Sequence, residues 1–222
     1  MKRPLRIVIS AGPTREPIDP VRFISNYSTG YMGACLAAEA LQRGHRVTVV
    51  SGPGIGRLPP RARIVPVERA REMDAALRRE SRRADAVIMA AAVADFQPLR
   101  ARGGKLARRG RVTLTLRATP DIIGRLPRPA GTVQQIRVGF ALETGPATLG
   151  RAVRKLREKR LDVVLAQRVS ATQSPFGRRP LRAWLVERGG VATPLGLMPK
   201  PKVARALLDK IEELWYRQPE PN

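Results

Sequence analysis

The sequence offers one cysteine, one histidine and few aromatic rings, which removes several kinds of chemistry at the outset. A lone cysteine excludes an internal disulfide and fits a reducing cytosol. Cys35 sits among alanines in a stretch patterned as a helix, where it reads as a small core residue rather than a nucleophile. His45 has no second histidine and no nearby cysteine with which to build a zinc site. With aromatics at 4% of 222 residues, the core has to be made of Leu, Val, Ile and Ala, and few rings remain for stacking bases. No apolar run approaches the roughly 20 residues of a membrane-spanning helix. Met1-Lys2-Arg3-Pro4 leads directly into an apolar strand pattern without the apolar core of a signal peptide, so a cytoplasmic location is expected. Acidic residues are scarce as well: 18 against 42 basic ones, for a net charge of +24.

That charge first raises a nucleic-acid partner. Two features disfavour it. The basic residues are spread over nearly every segment instead of forming a stripe, and 35 of the 42 are arginine, as expected where Arg fills solvated positions throughout a chain. An anionic small substrate would use the same field.

Apolar runs alternate with helical patterns along most of the chain. Strands are expected at Leu5 to Ser10, His45 to Val50, Ala62 to Val67, Ala86 to Ala91, Ile136 to Ala141 and Leu161 to Ala166. Helices are expected at Gly30 to Arg43, Arg69 to Arg82 and Pro146 to Arg160, with a closing helix at Lys200 to Tyr216. Ala86 to Ala91 is wholly apolar, the mark of a central parallel strand buried on both faces. The predicted fold class is α/β: a Rossmann-like, open, mostly parallel sheet with helices on both faces. Phe96 to Arg111 is basic and without apolar periodicity and is expected to form a mobile flap, followed by a half-buried strand at Val112 to Leu116. Thr119-Pro120 is expected to open a short helix, with Thr119 as its N-cap. Leu181 to Val186 and Val191 to Leu195 flank Arg188-Gly189-Gly190 as a C-terminal hairpin. A single domain over 1–217 with a frayed tail at 218–222 is the expected organisation.

The most distinctive stretch is Gly12 to Gly33, GPTREPIDPVRFISNYSTGYMG. A strand, a long polar loop and a glycine turn into a helix form a nucleotide-binding layout. The pair Gly30 and Gly33 is weak evidence alone, since glycines at helix starts often serve packing. A dinucleotide fingerprint would place G-x-G-x-x-G directly after the first strand, and no acidic residue ends the second strand to hold a ribose. A classical NAD domain is therefore disfavoured, although an NAD(P)-dependent reductase and a basic nucleotide- or nucleic-acid-binding protein on the same fold stay open as alternatives.

SAGPTREPIDPVRFISNYSTGYMG closely resembles the signature of the phosphopantothenate–cysteine ligase family, also called phosphopantothenoylcysteine synthetase. So do AAAVADFQP (Ala90 to Pro98), TPDI (Thr119 to Ile122), VGFALET (Val138 to Thr144) and KLREKRLDVVLA (Lys155 to Ala166), in the family's order over nearly the whole chain. The resemblance implies a ligase that joins L-cysteine to 4′-phosphopantothenate in coenzyme A biosynthesis through an acyl-nucleotidylate. CTP is the expected co-substrate, with ATP possible, and magnesium (Mg2+) accompanies it. It also implies a homodimer. In many bacteria this ligase is the C-terminal half of a bifunctional protein. Here a free-standing ligase is expected, with a separate phosphopantothenoylcysteine decarboxylase as pathway partner.

Carried onto this sequence, the resemblance makes Asn26 the amide that holds the acyl carbonyl and Lys105 the flap lysine that closes over the intermediate. Asp95 would contact the nucleotide, Met89, Ala90 and Ala91 would read the base edge with their backbone, and Thr119, Pro120, Asp121 and Ile122 would lie near base and sugar. Phe140 would sit beside the base, and Lys155 and Lys159, one helical turn apart, would bind the nucleotide. Gly30 and Gly33 would let backbone N–H groups approach phosphate. Read as ordinary residues, Asn26 is a turn residue, Lys105 a solvated cation and Phe140 a strand core residue. The metal ligands are not indicated. Tyr31, Ala107, Arg108 and Gln167 depart from the family pattern, which commonly has Lys, Lys, Lys and Asn there, and TPDI replaces the more usual NPDI.

Overall fold

The computed structural model describes residues 3–108, 110–128, 135–169 and 174–217; the expected frayed tail lies outside them. The first strand, β1 (Arg6–Ala11), is apolar at four of six positions and buried from Ile7 onward. Two short strands follow inside the long polar loop, β2 (Glu16–Pro17) and β3 (Phe23–Ile24), pairing antiparallel as Glu16↔Ile24 and Pro17↔Phe23. The loop is thus a small ribbon and not irregular throughout.

Helix α1 (Tyr31–Gln42) starts after Gly30, whose φ of 70° is a left-handed conformation open to glycine. Gly33 is a packing residue. A Cβ there would stand 2.4 Å from the Cβ of Ala11, so the glycine lets α1 lie against β1. Strands β4 (Arg46–Ser51) and β5 (Arg63–Pro66), helix α2 (Ala70–Glu80) and strand β6 (Ala86–Met89) continue the alternation. Beyond the flap and the short helix α3 (Ile122–Arg125) come β9 (Ile136–Thr144), α4 (Thr148–Glu158), β10 (Val163–Val169), β11 (Leu181–Glu187), β12 (Ala192–Met198) and α5 (Lys200–Tyr216). The flap's own strands are β7 (Phe96–Pro98) and β8 (Leu116–Ala118).

The main sheet has eight strands in the order β12-β11-β10-β9-β6-β1-β4-β5. From β10 to β5 every pairing is parallel; β11 and β12 join antiparallel as the expected hairpin. The fold class matches the sequence reading. All four residues of β6 are buried, as a strand with β1 and β9 beside it and helices on both faces requires. One face is covered by α1 and α5, with Leu36, Leu207 and Leu208 fully buried; the other is covered by α2 and α4, with Met73, Leu77 and Leu156. Each such side chain contributes roughly 1.5–3 kcal/mol by leaving water. Cys35 belongs to the first of these cores, as expected.

Three local expectations need correction. The strand expected at Val112 to Leu116 is instead Leu116–Ala118, paired with β7 in a two-stranded ribbon, and Val112 and Leu114 are exposed. Alternation of Val and Leu with Thr reads as half-buried, but a two-stranded ribbon standing off the sheet has no covering layer. The short helix is capped by Asp121, whose Oδ1 accepts from Gly124 N at 3.4 Å, not by Thr119. Strand β6 ends at Met89, not Ala91, so Asp95 lies in the following loop; that loop leaves the sheet to meet the first one, Ala92 N donating to Gly12 O at 2.9 Å.

Candidate active site

The carboxyl ends of β1, β6, β9 and β10 open into a cleft of about 670 Å3, the place where open α/β sheets bind ligands. Its floor is the turn after β6. Ser10, buried in β1, donates to Met89 Sδ at 3.6 Å and accepts from Ala91 N at 3.2 Å, which holds Met89 to Ala91 against the first strand. The long first loop is tied to the same turn. Asn26 Nδ2 donates to Ala92 O at 2.8 Å, Thr14 Oγ1 accepts from Ala94 N at 3.0 Å, and Ser25 Oγ donates to Thr14 O at 2.7 Å. Asn26 therefore satisfies another loop's carbonyl and not its own turn.

The far wall comes from the segment leading into α3. Thr119 Oγ1 donates to Ala94 O at 2.6 Å, and Thr119 N to Asp95 O at 2.9 Å. Two lysines of the α4 segment reach this wall. Lys155 Nζ donates to Phe140 O at 2.6 Å, and Lys159 Nζ pairs with Asp121 Oδ1 at 3.0 Å. Burial, and then the neighbouring Lys159 charge, push the Lys155 ammonium below the ordinary lysine range. Arg137, buried in β9, donates to Leu126 O at 2.8 Å and Pro127 O at 2.7 Å, anchoring the end of α3 to the sheet. Burial lowers its pKa to about 10.

Gly30, Met89, Ala90, Ala91, Asp95, Thr119, Pro120, Asp121, Ile122, Phe140, Lys155 and Lys159 all line the one cleft. The structure thus gathers most of the residues singled out in the sequence. Three stand outside the lining: Gly33, buried against β1; Asn26, which fastens the loop beside it; and Lys105, exposed on the flap. Residues that the sequence reading did not assign a role also line it, notably Lys200 at the start of α5 and Phe176. The Phe176 ring lies 5.9 Å from that of Tyr27, next to Asn26. The available signal for Lys200 was its rarity as one of seven lysines, immediately before an amphipathic helix.

The flap is fastened one residue beyond Lys105. The buried Asp19 carboxylate accepts from Leu106 N at 3.0 Å and from Val21 N and Arg22 N at 2.9 Å, and it pairs with the Arg22 guanidinium. Arg22 Nη2 in turn donates to Leu106 O at 2.8 Å. The Leu106 N–H, aided by Arg22 and the Val21 N–H against an opposing effect of burial, holds the Asp19 carboxyl well below the usual carboxylate range. A depressed carboxylate stabilises the fold fully above its unfolded pKa of about 3.9 and loses that contribution as pH falls toward its folded value. Asp19→Asn is therefore expected to flatten the stability–pH curve below about pH 4. Acid unfolding of the two proteins, followed by circular dichroism, checks this.

These features define an open, doubly wound α/β protein with a lysine-flanked ligand cleft at the carboxyl edge of its sheet. The chain belongs to the family of DNA/pantothenate metabolism flavoprotein C-terminal domains, whose model matches residues 3–214. It is 39% identical over 210 residues to the coenzyme A biosynthesis bifunctional protein CoaBC of Bacillus subtilis (strain 168), covering 94% of this chain and 51% of that protein. It is also 39% identical over 208 residues to a cysteine/cysteine sulfinic acid decarboxylase of an unknown prokaryotic organism, covering 93% of this chain and 57% of that one. The chain thus spans about half the length of the curated relatives it matches. Among solved structures, the crystal structure of the C-terminal domain of CoaBC aligns over 95% of both chains with a TM-score of 0.77 and 34% identity. A Cab2 mutant in complex with phosphopantothenate-cysteine aligns with a TM-score of 0.76 over 96% of this chain and 87% of that one; at 16% identity the likeness is one of fold.

Proposed function

We propose that this protein is a phosphopantothenate–cysteine ligase of coenzyme A biosynthesis, acting in the cytoplasm on 4′-phosphopantothenate and L-cysteine. The observation that carries the reading is the convergence on one cleft of Met89 to Ala91, Thr119 to Ile122, Phe140, Lys155 and Lys159, from segments separated by up to 70 residues in sequence. Membership of a family that includes the CoaBC C-terminal region supports it.

In this reading the substrate carboxylate attacks the α-phosphorus of CTP, releasing pyrophosphate and leaving an acyl-cytidylate. The cysteine amine then attacks the acyl carbon, and CMP departs as the amide forms. Both partners of the first step are anionic, so cations have to offset their repulsion. Lys155 and Lys159 do this from one wall. The Asn26 amide, fixed beside the Ala92 carbonyl, holds the acyl carbonyl. Lys105 arrives when the flap closes, and the Asp19–Arg22 grip on Leu106 sets where it starts.

Magnesium would come with the nucleotide. Of the three carboxylates lining the cleft, Asp121 is paired with Lys159 and Glu143 with Arg151, while Asp95 has no ion pair among the described residues. No group of three or more possible metal ligands occurs among those residues. One carboxylate plus substrate phosphates suits Mg2+, which binds through few protein oxygens. Bound there, the ion would neutralise phosphate charge.

A homodimer is part of the proposal, supported by Phe96, Leu99 and Leu116, which are exposed on and beside the β7–β8 ribbon. A phosphopantothenoylcysteine decarboxylase would take the product onward, either as a separate protein or as a further domain. No helix among the described residues is long and apolar enough to cross a membrane.

The test is pyrophosphate release by the purified protein with Mg2+ and 4′-phosphopantothenate, comparing CTP with ATP, with and without cysteine. The expected result is release that requires phosphopantothenate, is faster with CTP, and yields amide-linked phosphopantothenoylcysteine. A folded protein that releases no pyrophosphate with either nucleotide would overturn the ligase assignment; faster release with ATP would overturn only the nucleotide preference.

A further inference from the structure

The cleft has a cation on the sheet face opposite Lys155 and Lys159. Those two come from the α4 segment, which packs on the sheet beside α2. Lys200 opens α5, which packs with α1 on the other face, and all three lysines line the same cleft. Lys200 is only 5% exposed. Its Nζ donates to Gly177 O at 2.6 Å and stands 5.8 Å from the Tyr31 ring centroid. The Arg178 guanidinium carbon lies 5.3 Å from the same ring.

Neither Lys200 nor Arg178 is paired with a carboxylate among the described residues. Buried cations ordinarily carry a counter-charge, because desolvating an ammonium is costly. Here one carbonyl and one aromatic face are the contacts in place, and an ammonium has three N–H donors. Tyr31 accounts for a small part of the compensation, since the quadrupole of an aromatic face attracts a cation only weakly compared with a carboxylate. Burial pushes the Lys200 ammonium below the ordinary lysine range, against an opposing influence from Cys35. An anion in the cleft would offset that cost. The surrounding lining, Ser28, Thr29 and Gly30 on one side and Gly177 on the other, is small and polar, leaving room for phosphate oxygens.

We infer that Lys200 is a phosphate-binding residue of the cleft, holding a phosphate monoester or polyphosphate on the α1–α5 side while Lys155 and Lys159 act from the other. The identity of the physiological phosphate rests on the ligase reading, which supplies two sources: the triphosphate of the nucleotide and the phosphomonoester of 4′-phosphopantothenate.

Inorganic tripolyphosphate is the direct probe, titrated calorimetrically into the wild-type protein and into Lys200→Met and Lys200→Gln. Glutamine keeps a donor for Gly177 O and removes the charge, so it separates loop anchoring from anion binding; thermal melts report whether each variant is folded. Wild-type protein is expected to bind, and both variants to lose about tenfold or more in affinity, as befits one charge-assisted hydrogen bond. Absence of wild-type binding, or wild-type affinity in a folded Lys200→Gln, would overturn the inference. Parallel titrations with CTP and with 4′-phosphopantothenate then identify the source: the ligand weakened by Lys200→Gln is the one this lysine holds, and unchanged affinity for both would also overturn it. The ligase reading is judged by product formation, so a protein that binds tripolyphosphate through Lys200 and makes no product would overturn that reading alone.

Discussion

Asn26→Asp is expected to leave the protein folded and to lower turnover about 10²–10³-fold, the range seen when one donor aimed at a reacting oxygen is removed. The Asn26 amide donates to Ala92 O at 2.8 Å. An ionised aspartate is acceptor-only and cannot make that bond. Two oxygens would then face each other where a hydrogen bond had joined the first loop to the turn after β6. The exposed position also means that the new carboxylate stays charged, adding repulsion toward two anionic substrates. The fold should survive, because Thr14 still ties the two loops together through its hydroxyl and its N–H, and Ser25 braces the first loop internally. Single-turnover pyrophosphate release, beside a thermal melt, checks this. Turnover within threefold of wild type would remove Asn26 from the mechanism.

Lys155→Met is expected to weaken CTP binding about 10- to 100-fold while leaving thermal stability unchanged or raised. The two effects have opposite signs for one reason. The ammonium is mostly desolvated in the free protein, with Phe140 O at 2.6 Å as its hydrogen-bond acceptor, so an apolar side chain of similar length removes a cost from the fold. The same replacement takes away a charge-assisted contact worth about 1.5–3 kcal/mol to a bound anion. Burial and the Lys159 charge lower the Lys155 pKa against the opposing influence of Asp121, Glu143 and Asp95. Wild-type affinity should therefore fall at a lower pH than for an ordinary lysine as the medium turns alkaline, and Lys155→Met should not show that fall. Calorimetric titration of CTP across pH measures both. Equal affinities at neutral pH would exclude Lys155 from the nucleotide site.

Much of the architecture could be read along the chain because its signals are local. Ala86 to Ala91 is apolar without alternation, and a strand buried on both faces can have no other pattern. Lys155 and Lys159 are four apart, so a helix places them on one face wherever it packs. Gly30 ahead of an alanine-rich helical run marks the turn into α1. The flap was harder to read. The alternation at Val112 to Leu116 is a sound strand signal, yet the pairing with Phe96–Pro98 is displaced toward Ala118 and leaves Val112 and Leu114 exposed. Register in a two-stranded ribbon is weakly specified, since no buried face penalises a slip. The helix begins only at Ile122, so Asp121 and not Thr119 stands at its cap, and the Thr119 hydroxyl donates to Ala94 O, a partner 25 residues away.

The sequence by itself determined the sheet's parallel strands and the helices between them, because hydrophobic period and turn chemistry act over a few residues; most of the side chains around the cleft were singled out by the family resemblance of their motifs. The tertiary structure decided which of those side chains meet and which do not. It buried Gly33 against Ala11, left Lys105 outside the cleft lining next to Leu106, which Asp19 and Arg22 fasten, and brought Lys200 to Gly177 and Tyr31 from the opposite face of the sheet. Such juxtapositions depend on the packing of α1, α4 and α5 over an eight-stranded sheet, and residue spacing carries no record of which helix covers which face.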